Sequence, residues 1–243
     1  METQKIVITK YPASERGHVD HGWLKAKHSF SFGSWFNKDR IHFGALRVLN
    51  DDTVAPGMGF GTHPHDNMEI VTIPLSGTVR HRDNMGNEGN ITPGEIQIMS
   101  AGTGVTHSEF NPNRDQELKL FQIWIIPNKR NVLPRYQQLD INAKHKKNEW
   151  VQLVSPDPND EGGWIHQEAW VNFIDMNEGD SNSFKLKRSE THGVYIMDIS
   201  GKFEVENENL NDRDALSATG ATELSIKALS SGSLLAIEVP LKF

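Results

Sequence analysis

Two short pairs of potential metal ligands stand out in the chain. His63 and His65 form the first pair, and His107 and Glu109 form the second, 42 residues after His65. Successive side chains of a β-strand point to opposite faces, so the two members of each pair, spaced i and i+2, share one face. Two such strands side by side would place three imidazoles and a carboxylate around one ion. These donors favour a divalent transition metal over calcium or magnesium, which prefer oxygen ligands.

The spacing leaves two questions open. A single His-x-His pair is more often an ordinary surface strand than a metal site, and it is the second pair that makes a metal centre the favoured interpretation. Glu69 lies four residues after His65, so on a regular strand its side chain also faces the histidines. Strand parity therefore does not decide whether Glu69 or Glu109 is the fourth ligand.

The composition excludes several classes of site and partner. The 243 residues include no cysteine, which excludes disulfides, thiolate nucleophiles and cysteine-ligated zinc or iron–sulfur sites. The 32 acidic and 25 basic residues give a net charge of −7, which disfavours direct binding to nucleic acid and favours a protein as any macromolecular partner. Because no apolar run approaches the ~18 residues of a membrane span, we expect a cytoplasmic protein without a membrane partner.

Short β-rich segments separated by turns recur along the first half of the chain. Turns are predicted at residues 84–87 and 92–94, where Asn, Gly and Pro cluster. A brief helical turn is predicted at Leu133–Leu139, followed by a polar connection at 142–148. We therefore expect an all-β fold, an antiparallel sandwich or barrel. The predicted strands are Lys5–Thr9, Ile41–Asn50, Met68–Pro74, Gly77–Arg82, Glu95–Ser100 and Lys119–Ile126.

The second half of the chain repeats the first in weaker form. Aligning Ser200-Gly201 with Ser76-Gly77 superposes residues 194–205 on residues 70–81, and Thr219–Glu223 then resembles Thr103–His107. A duplicated domain explains both matches. In this register the four candidate ligands fall, in order, opposite Lys187, Ser189, Glu223 and Ser225.

This loss of ligands in the second copy predicts one metal site per chain, in the first half. We expect an N-terminal metal-binding domain at residues 1–130 and a connecting segment at 131–150. Residues 151–243 are then expected to form a C-terminal domain without metal.

The spacings around the histidines resemble the two motifs of the cupin superfamily, small barrels that hold a metal inside. Gly77 lies one residue farther from Glu69 than is usual there, and Gly102 stands where cupins generally have proline. The closer resemblance is to pirins, which are bicupins, and Asp66-Asn67-Met68 departs from their common Arg-Gly-Phe. The segments that carry it are Arg16-Gly17, His28–Gly33, His63–His65, His81–Asn87, Pro93–Glu95 and Met99–Glu109.

The resemblance to pirins implies two double-stranded β-helix barrels, of which the second lacks a metal. It also implies that Glu109, rather than Glu69, completes the ligand set. Glu69 is then interpreted as a group that supports a ligand or faces the substrate. His28 is a candidate for the substrate entrance, although the aromatic alternation beside it is more typical of core packing. His81, at a strand end, is interpreted as structural.

The resemblance further implies a quercetin 2,3-dioxygenase. In that reaction a flavonol docks through its 3-hydroxyl and 4-carbonyl groups, dioxygen adds across C2 and C4, and carbon monoxide leaves. Glu109 is expected to accept the hydroxyl proton. Fe(II) is the expected metal. Cu, Mn, Co, Ni and Zn are alternatives, since such a site binds copper or zinc more tightly than iron in free competition.

Two other functions remain open for such a chain. One is a redox-responsive, iron-binding regulatory protein that acts through a protein partner, as the pirins that are transcription cofactors imply. The other is a metal-stabilised scaffold with incidental oxidation activity. An enzyme should show saturable, metal-dependent turnover, whereas a regulator should capture its partner in one redox state only.

Overall fold

Almost every element of the chain is a β-strand. The computed structural model describes residues 5–243, with two short 3-10 turns at Ala13–Glu15 and Asn142–Lys144. Within these residues there is no helix long and apolar enough to cross a membrane. The first twelve strands are β1 (Val7–Tyr11), β2 (Gly17–Asp20), β3 (Leu24–His28), β4 (Leu46–Val54), β5 (Gly59–His65), β6 (Glu69–Ser76), β7 (Val79–Asp83), β8 (Glu88–Ile91), β9 (Glu95–Ser100), β10 (Val105–Phe110), β11 (Leu118–Ile125) and β12 (Arg135–Asp140). The remaining strands are β13 (Val151–Ser155), β14 (Gly163–Trp164), β15 (Trp170–Met176), β16 (Ser181–Lys185), β17 (His192–Ser200), β18 (Lys202–Val205), β19 (Glu208–Asn211), β20 (Ala215–Thr219), β21 (Glu223–Ala228) and β22 (Gly232–Pro240).

Each half of the chain builds a barrel from a seven-stranded and a four-stranded sheet. In the first barrel the orders are β12-β9-β6-β11-β4-β3-β2 and β5-β10-β7-β8. In the second they are β1-β20-β17-β22-β15-β13-β14 and β16-β21-β18-β19. Equivalent strands follow the same order in both barrels, as a duplicated domain requires. The expected all-β fold of two cupin-type barrels is confirmed.

Two strands differ from the sequence-based expectation. β1 pairs with β20, so this N-terminal strand belongs to the sheet of the second barrel although it lies within residues 1–130. The helical turn predicted at Leu133–Leu139 is wrong, because β12 is an extended strand that pairs with β9 along its whole length. The edge of β9 carries backbone groups that need hydrogen-bond partners, and satisfying them outweighs the weak local preference for a turn.

The two large sheets pack against each other through an apolar core. On β11, Phe121, Ile123 and Ile125 contribute to this core. Gln122 and Trp124 alternate with them and face the interior of the first barrel, where they contact the candidate site. One face of β11 therefore joins the barrels, and the other face positions polar and aromatic side chains for chemistry.

A buried cluster of charges also joins the barrels. Asp51 on β4 accepts hydrogen bonds of 3.3 and 3.4 Å from the buried guanidinium of Arg16. Arg213 of the second barrel pairs with the same carboxylate at 3.0 Å. Burial lowers the pKa of Arg16, and the charge of Asp51 offsets part of this effect. Without Asp51, the Arg16 guanidinium would stay buried without its anionic partner.

We expect the Asp51→Ala variant to lose about 3–5 kcal/mol of unfolding free energy, the usual cost of removing one partner of a buried ion pair. Urea unfolding followed by circular dichroism measures this loss. Asp115→Ala removes an exposed carboxylate and serves as the control, with an expected change within about 0.5 kcal/mol. A loss below about 1 kcal/mol in Asp51→Ala would contradict this account of the cluster.

Asp198 on β17 carries a second buried carboxyl group, and its surroundings are unusual for a carboxylate. It is fully buried, and neither of its carboxylate oxygens has a hydrogen-bond partner among the described residues. Burial raises the pKa of Asp198 to about 8, and the charges of Asp212 and Asp214 add to this shift. The folded protein therefore holds a proton here at neutral pH, whereas the unfolded chain has lost it above about pH 4. The resulting stabilisation is present at low pH and is lost as the pH rises through about 8.

We expect the free energy of unfolding of the wild-type protein to fall by about 2–4 kcal/mol more than that of Asp198→Asn between pH 5 and pH 8.5. The amide is neutral at both pH values and so lacks this proton-linked term. Urea titrations of both proteins at the two pH values measure the difference, with Asp115→Asn as the control for a changed surface charge. Parallel pH dependence in wild type and Asp198→Asn would show that Asp198 is ionised in the folded state.

Candidate metal centre

Three imidazoles converge where β5 and β10 lie side by side. The strands are antiparallel, and His107 is directly opposite His63. The ring centroids of His63 and His107 are 4.4 Å apart, those of His63 and His65 are 4.8 Å apart, and those of His65 and His107 are 4.9 Å apart. One nitrogen of each ring lies within 4.8 Å of the other two. Donors bound to one ion are at most about 4.2 Å apart, so small movements would close these rings around a metal.

An irregularity in β5 helps to aim these rings. The pairing of β5 with β10 shifts by one residue between His63 and Phe60, so that Glu109 is opposite Phe60. Bulges of this kind are frequent beside active sites. Gly59 permits the close approach, because a Cβ atom there would collide with the carbonyl oxygen of Glu109. The Nδ1–H group of His63 donates to the carbonyl of Gly61 at 2.8 Å, which leaves the Nε2 lone pair for an ion.

His107 has the environment expected of a metal ligand. Its side chain is buried, and neither ring nitrogen has a hydrogen-bond partner in the described part of the chain. Burial lowers the pKa of His107 to about 3, with the neighbouring His63 and His81 adding to the effect. Burial also lowers the pKa of His65 to about 4, together with the other two imidazoles. These rings are neutral near pH 7, as ligation requires, and an unpaired buried imidazole is costly unless a ligand pairs with it.

Glu109 is buried in the barrel, whereas His63 and His65 are half-exposed. Three neutral hydrogen-bond donors form a cradle around its carboxylate. Its Oε1 accepts from the hydroxyl of Thr72 at 3.1 Å and from the amide of Gln97 at 3.0 Å. Its Oε2 accepts from the amide of Gln122 at 2.9 Å. A carboxylate oxygen of Glu109 lies within 4.8 Å of ligand atoms of His107 and of a fourth histidine, His81. The charge of Glu109 is thus hydrogen-bonded, but no cationic side chain among residues 5–243 pairs with these oxygens.

His81 on β7 forms a pair with Asp83 inside the barrel. Its Nε2–H group donates to the carboxylate of Asp83 at 3.2 Å, and both side chains are buried. The backbone N–H groups of Met85 and Asn87 hold that carboxylate at 2.9 and 3.0 Å. Tyr136 stacks on the His81 ring, with centroids 4.6 Å apart and planes 20° apart. The ring is therefore fixed, with its unpartnered Nδ1 inside the barrel.

Comparison with known proteins accounts for this arrangement. A family model described as Pirin matches residues 10–125, and one described as the quercetinase C-terminal cupin domain matches residues 152–239. A protein of Escherichia coli K12 named quercetin 2,3-dioxygenase is 39% identical over 229 residues, which cover 94% of this chain and 96% of that protein. The chain belongs to the pirin family. A pirin-like protein of Caulobacter vibrioides is 34% identical over 233 residues, covering 96% of this chain and 99% of its own.

A solved pirin structure has nearly the same fold. The E. coli pirin YhhW in complex with nickel(II) superposes with a TM-score of 0.90 at 36% identity, covering 96% of this chain and 99% of the other. The agreement extends over both barrels, as the shared pirin architecture requires. The present chain brings histidines and a glutamate together inside its first barrel, in two groups that could hold a metal ion.

Glu69 does not join the imidazoles in this pirin. β5 ends at His65 and β6 begins at Glu69, and Asn67 between them has a φ of 45°, so the regular alternation of one strand does not carry through. Glu69 lies on the opposite face of β6 from Thr72, and the hydroxyl of Ser100 donates to its carboxylate at 2.6 Å. Burial raises the pKa of Glu69 to about 7. Glu69 therefore lies near the backbone of His166 of the second barrel, and its role in supporting a ligand or facing the substrate stays a prediction.

His28 supports an aromatic wall at one side of the site. It is buried, and its Nδ1–H group donates to the side chain of Asn50 at 2.9 Å. The rings of His28 and Phe32 are 5.4 Å apart, and Phe32 meets Trp124 edge-on at 5.3 Å. Trp124 in turn meets His65 edge-on at 4.9 Å. The rings of Phe32 and Trp124 therefore lie between His28 and the metal cluster.

A cleft of about 290 Å³ opens beside His65. A cavity of about 400 Å³ also lies between the two barrels, but it is lined by none of the imidazoles of the metal cluster. Of these two cavities the cleft is the one that borders the metal cluster, and its volume is at the small end of the usual range for ligand pockets. It is lined by Pro64, His65, Asp66, Asn84, Gly104, Val105 and Thr106.

Several residues of the site were not found from the sequence. Gln122 and Trp124 alternate with the apolar residues of β11, and a glutamine at an inward position of such a strand was the signal available. Thr72 and Gln97 carry no comparable signal, because many strands contain them. Asp52 is also buried in the first barrel, and burial raises its pKa to about 8.

Proposed function

We propose that this pirin is a metal-dependent dioxygenase that opens the ring of a flavonol, with Fe(II) as its metal. The observation that carries the proposal is the buried ring of His107, whose two nitrogens have no hydrogen-bond partner among the described residues and which lies between two half-exposed imidazoles and the carboxylate of Glu109. The similarity to relatives named quercetin 2,3-dioxygenase supports the choice of reaction.

The ligand set in this proposal is His63, His65, His107 and Glu109. A divalent metal held there supplies a Lewis acid with open positions for a chelating substrate and for dioxygen. Asn84 and the backbone around Gly104 border the cleft through which both would enter. The buried position of His107 and Glu109 excludes bulk water from the floor of the site.

Glu109 has the further role of taking the proton of the flavonol 3-hydroxyl. Three neutral donors orient its carboxylate, so it can accept a proton without breaking an ion pair within the barrel. Trp124 and Phe32 form an aromatic wall beside His65, where a flat ring system would make edge and face contacts. The polar cradle and the aromatic wall together suit a planar substrate with one acidic hydroxyl.

The first test is oxygen uptake with carbon monoxide release, using protein loaded anaerobically with Fe(II) and then mixed with quercetin and oxygen. We expect saturable turnover with equal amounts of oxygen consumed and carbon monoxide released. The double variant His63→Ala/His107→Ala should lose both signals. His18→Ala, which removes an exposed imidazole, is the matched control and should retain them.

Absence of turnover in protein that holds Fe(II) stoichiometrically would overturn the dioxygenase proposal. The redox-responsive regulatory protein would then be the better interpretation, and partner capture with the oxidised and reduced forms would test it. Parallel loading with Ni(II), Mn(II) and Co(II) separates the choice of metal from the choice of reaction, because each ion occupies the same ligands with different reactivity.

A further inference from the structure

His81, His107 and Glu109 form a second group of metal donors below the three-histidine cluster. One ligand atom of each lies within 4.8 Å of the others, and all three side chains are buried. His81 and Glu109 are directly opposite on the paired strands β7 and β10. The group differs from a surface cluster of acids, because it contains two imidazoles and lies inside the barrel.

The hydrogen bonds of His81 prepare it as a ligand. Asp83 accepts its Nε2–H, so in the neutral ring the lone pair is on Nδ1, and this atom is buried without a partner. A histidine whose other nitrogen donates to a carboxylate is the usual arrangement of a metal-ligating imidazole. His63 has the same kind of support, from the carbonyl of Gly61.

We propose that the first barrel offers one divalent transition-metal ion two alternative positions. The outer position is formed by the ligand set proposed above, His63, His65, His107 and Glu109, and the inner position by His81, His107 and Glu109. This inference deepens the proposed function and rests on it for the outer position.

The two positions exclude each other. A neutral imidazole has one lone pair, so His107 binds one ion at a time. An ion at the outer position is open to the cleft, whereas one at the inner position has only buried ligands. Movement of the ion inward would withdraw it from the substrate and would replace His63 and His65 by His81, while His107 and Glu109 stay ligands.

The test uses Co(II) as the probe and measures bound cobalt per chain by dialysis and metal analysis, together with the visible absorption of the bound ion. We expect His63→Ala/His65→Ala to retain about one Co(II) per chain, with an absorption spectrum different from that of the wild type. Adding His81→Leu to this double variant should abolish cobalt binding. Equal cobalt content in the double and triple variants would overturn the inner position.

The Asp83→Asn substitution provides a second test of the inner position that does not depend on the folding of the triple variant. The asparagine keeps an oxygen for the backbone N–H groups of Met85 and Asn87 but turns an amide N–H toward His81 Nε2, which moves the ring proton to Nδ1. The side-chain amide of Asn87, which donates to the same position of Asp83, can rotate to present its oxygen to this N–H group. In the His63→Ala/His65→Ala background we expect Asp83→Asn to weaken Co(II) binding about 10–100-fold, whereas Asp115→Asn should not change it. Unchanged affinity with Asp83→Asn would contradict ligation by His81.

His81→Leu alone distinguishes this inference from the proposed function. It leaves the outer ligands in place, so it should bind about one Co(II) per chain with an absorption spectrum close to that of the wild type. Absence of cobalt from His81→Leu, while His63→Ala/His65→Ala retains it, would overturn the outer position and with it the dioxygenase proposal. The inner position would stand in that case.

Discussion

His107→Leu is expected to abolish binding of a divalent metal and to lower quercetin turnover by more than about 100-fold. The reason is that His107 lies between His63 and His65 on one side and Glu109 on the other, so its ring belongs to both groups of donors. Its removal leaves two half-exposed imidazoles at the cleft and a separate carboxylate inside the barrel. Metal analysis after dialysis and the oxygen-uptake assay measure the two effects.

The same variant should stabilise the metal-free protein. Both ring nitrogens of His107 are buried without a hydrogen-bond partner from residues 5–243, and each unsatisfied buried polar group costs about 1–3 kcal/mol. Leucine removes this cost and is still large enough to fill much of the space. We expect metal-free His107→Leu to unfold at a temperature higher by a few degrees, since about 1 kcal/mol corresponds to roughly 2–4 °C in a chain of this size.

The comparison requires thermal unfolding with chelator and with saturating Ni(II) for each protein. Wild type should gain stability from the metal, and His107→Leu should gain none. His18→Leu, at an exposed position, is the control for the loss of an imidazole. If metal-free His107→Leu is less stable than wild type by more than about 1 kcal/mol, His107 contributes to the packing of the barrel and not only to the site.

The residues of the outer cluster could be predicted because their geometry is local. His63 and His65 share a face by strand parity alone. The antiparallel pairing of β5 with β10 then places His107, from the second pair, opposite His63 and completes the cluster. The bulge lies between Phe60 and His63 on β5, opposite the His107–Glu109 step of β10, so it leaves His63 and His65 on one face and His107 opposite His63. The two-barrel topology was likewise accessible, because the duplication repeats the turn at Gly77 in the turn at Gly201.

The rest of the site depends on interactions that strand parity does not encode. Glu69 would face the histidines only if β5 and β6 were one regular strand, and the left-handed residue Asn67 separates them. The cradle of Glu109 brings together side chains of β6, β9 and β11, which are distant in sequence. His81 looked structural because its value as a ligand depends on Asp83 and on the position of Glu109 across the strand pair.

The sheet positions of the two edge strands β12 and β1 were unpredictable for the same reason. β12 is polar and follows Pro134, so nothing in its sequence opposes a turn. Its strand conformation comes from the exposed edge of β9, which exists only after the sheet has formed. β1 was recognisable as a strand, but its partner β20 lies more than 200 residues away and belongs to the other barrel.

Glu109→Gln is expected to lower quercetin turnover by about 10²–10⁴-fold while leaving most of the bound metal in place. The glutamine has nearly the same shape and retains one oxygen for ligation, but it cannot accept the proton of the flavonol 3-hydroxyl near neutral pH. The comparison is turnover per bound metal ion, obtained from the oxygen-uptake assay and metal analysis on the same samples. Turnover should fall far more than metal content.

The cradle around residue 109 can adapt to an amide. Glu109 accepts bonds at both oxygens, so the glutamine would turn its N–H group toward a donor, either Gln97 or Gln122. Gln122 can rotate its own amide to present an oxygen, and its N–H group can then donate to the hydroxyl oxygen of Thr72, whose hydrogen is directed at residue 109. The variant should therefore fold, and its melting temperature should confirm that the activity loss is not a folding defect.

Gln122→Leu is the matched variant, because it removes one donor to the carboxylate and leaves the carboxylate itself in place. Losing one hydrogen bond that orients the base should lower turnover by about tenfold or less, since about 1.4 kcal/mol corresponds to a factor of ten. Unchanged turnover in Glu109→Gln would rule out the base role. Parallel losses of metal and turnover would make Glu109 a ligand alone, and proton acceptance would then have to be assigned to another group at the cleft.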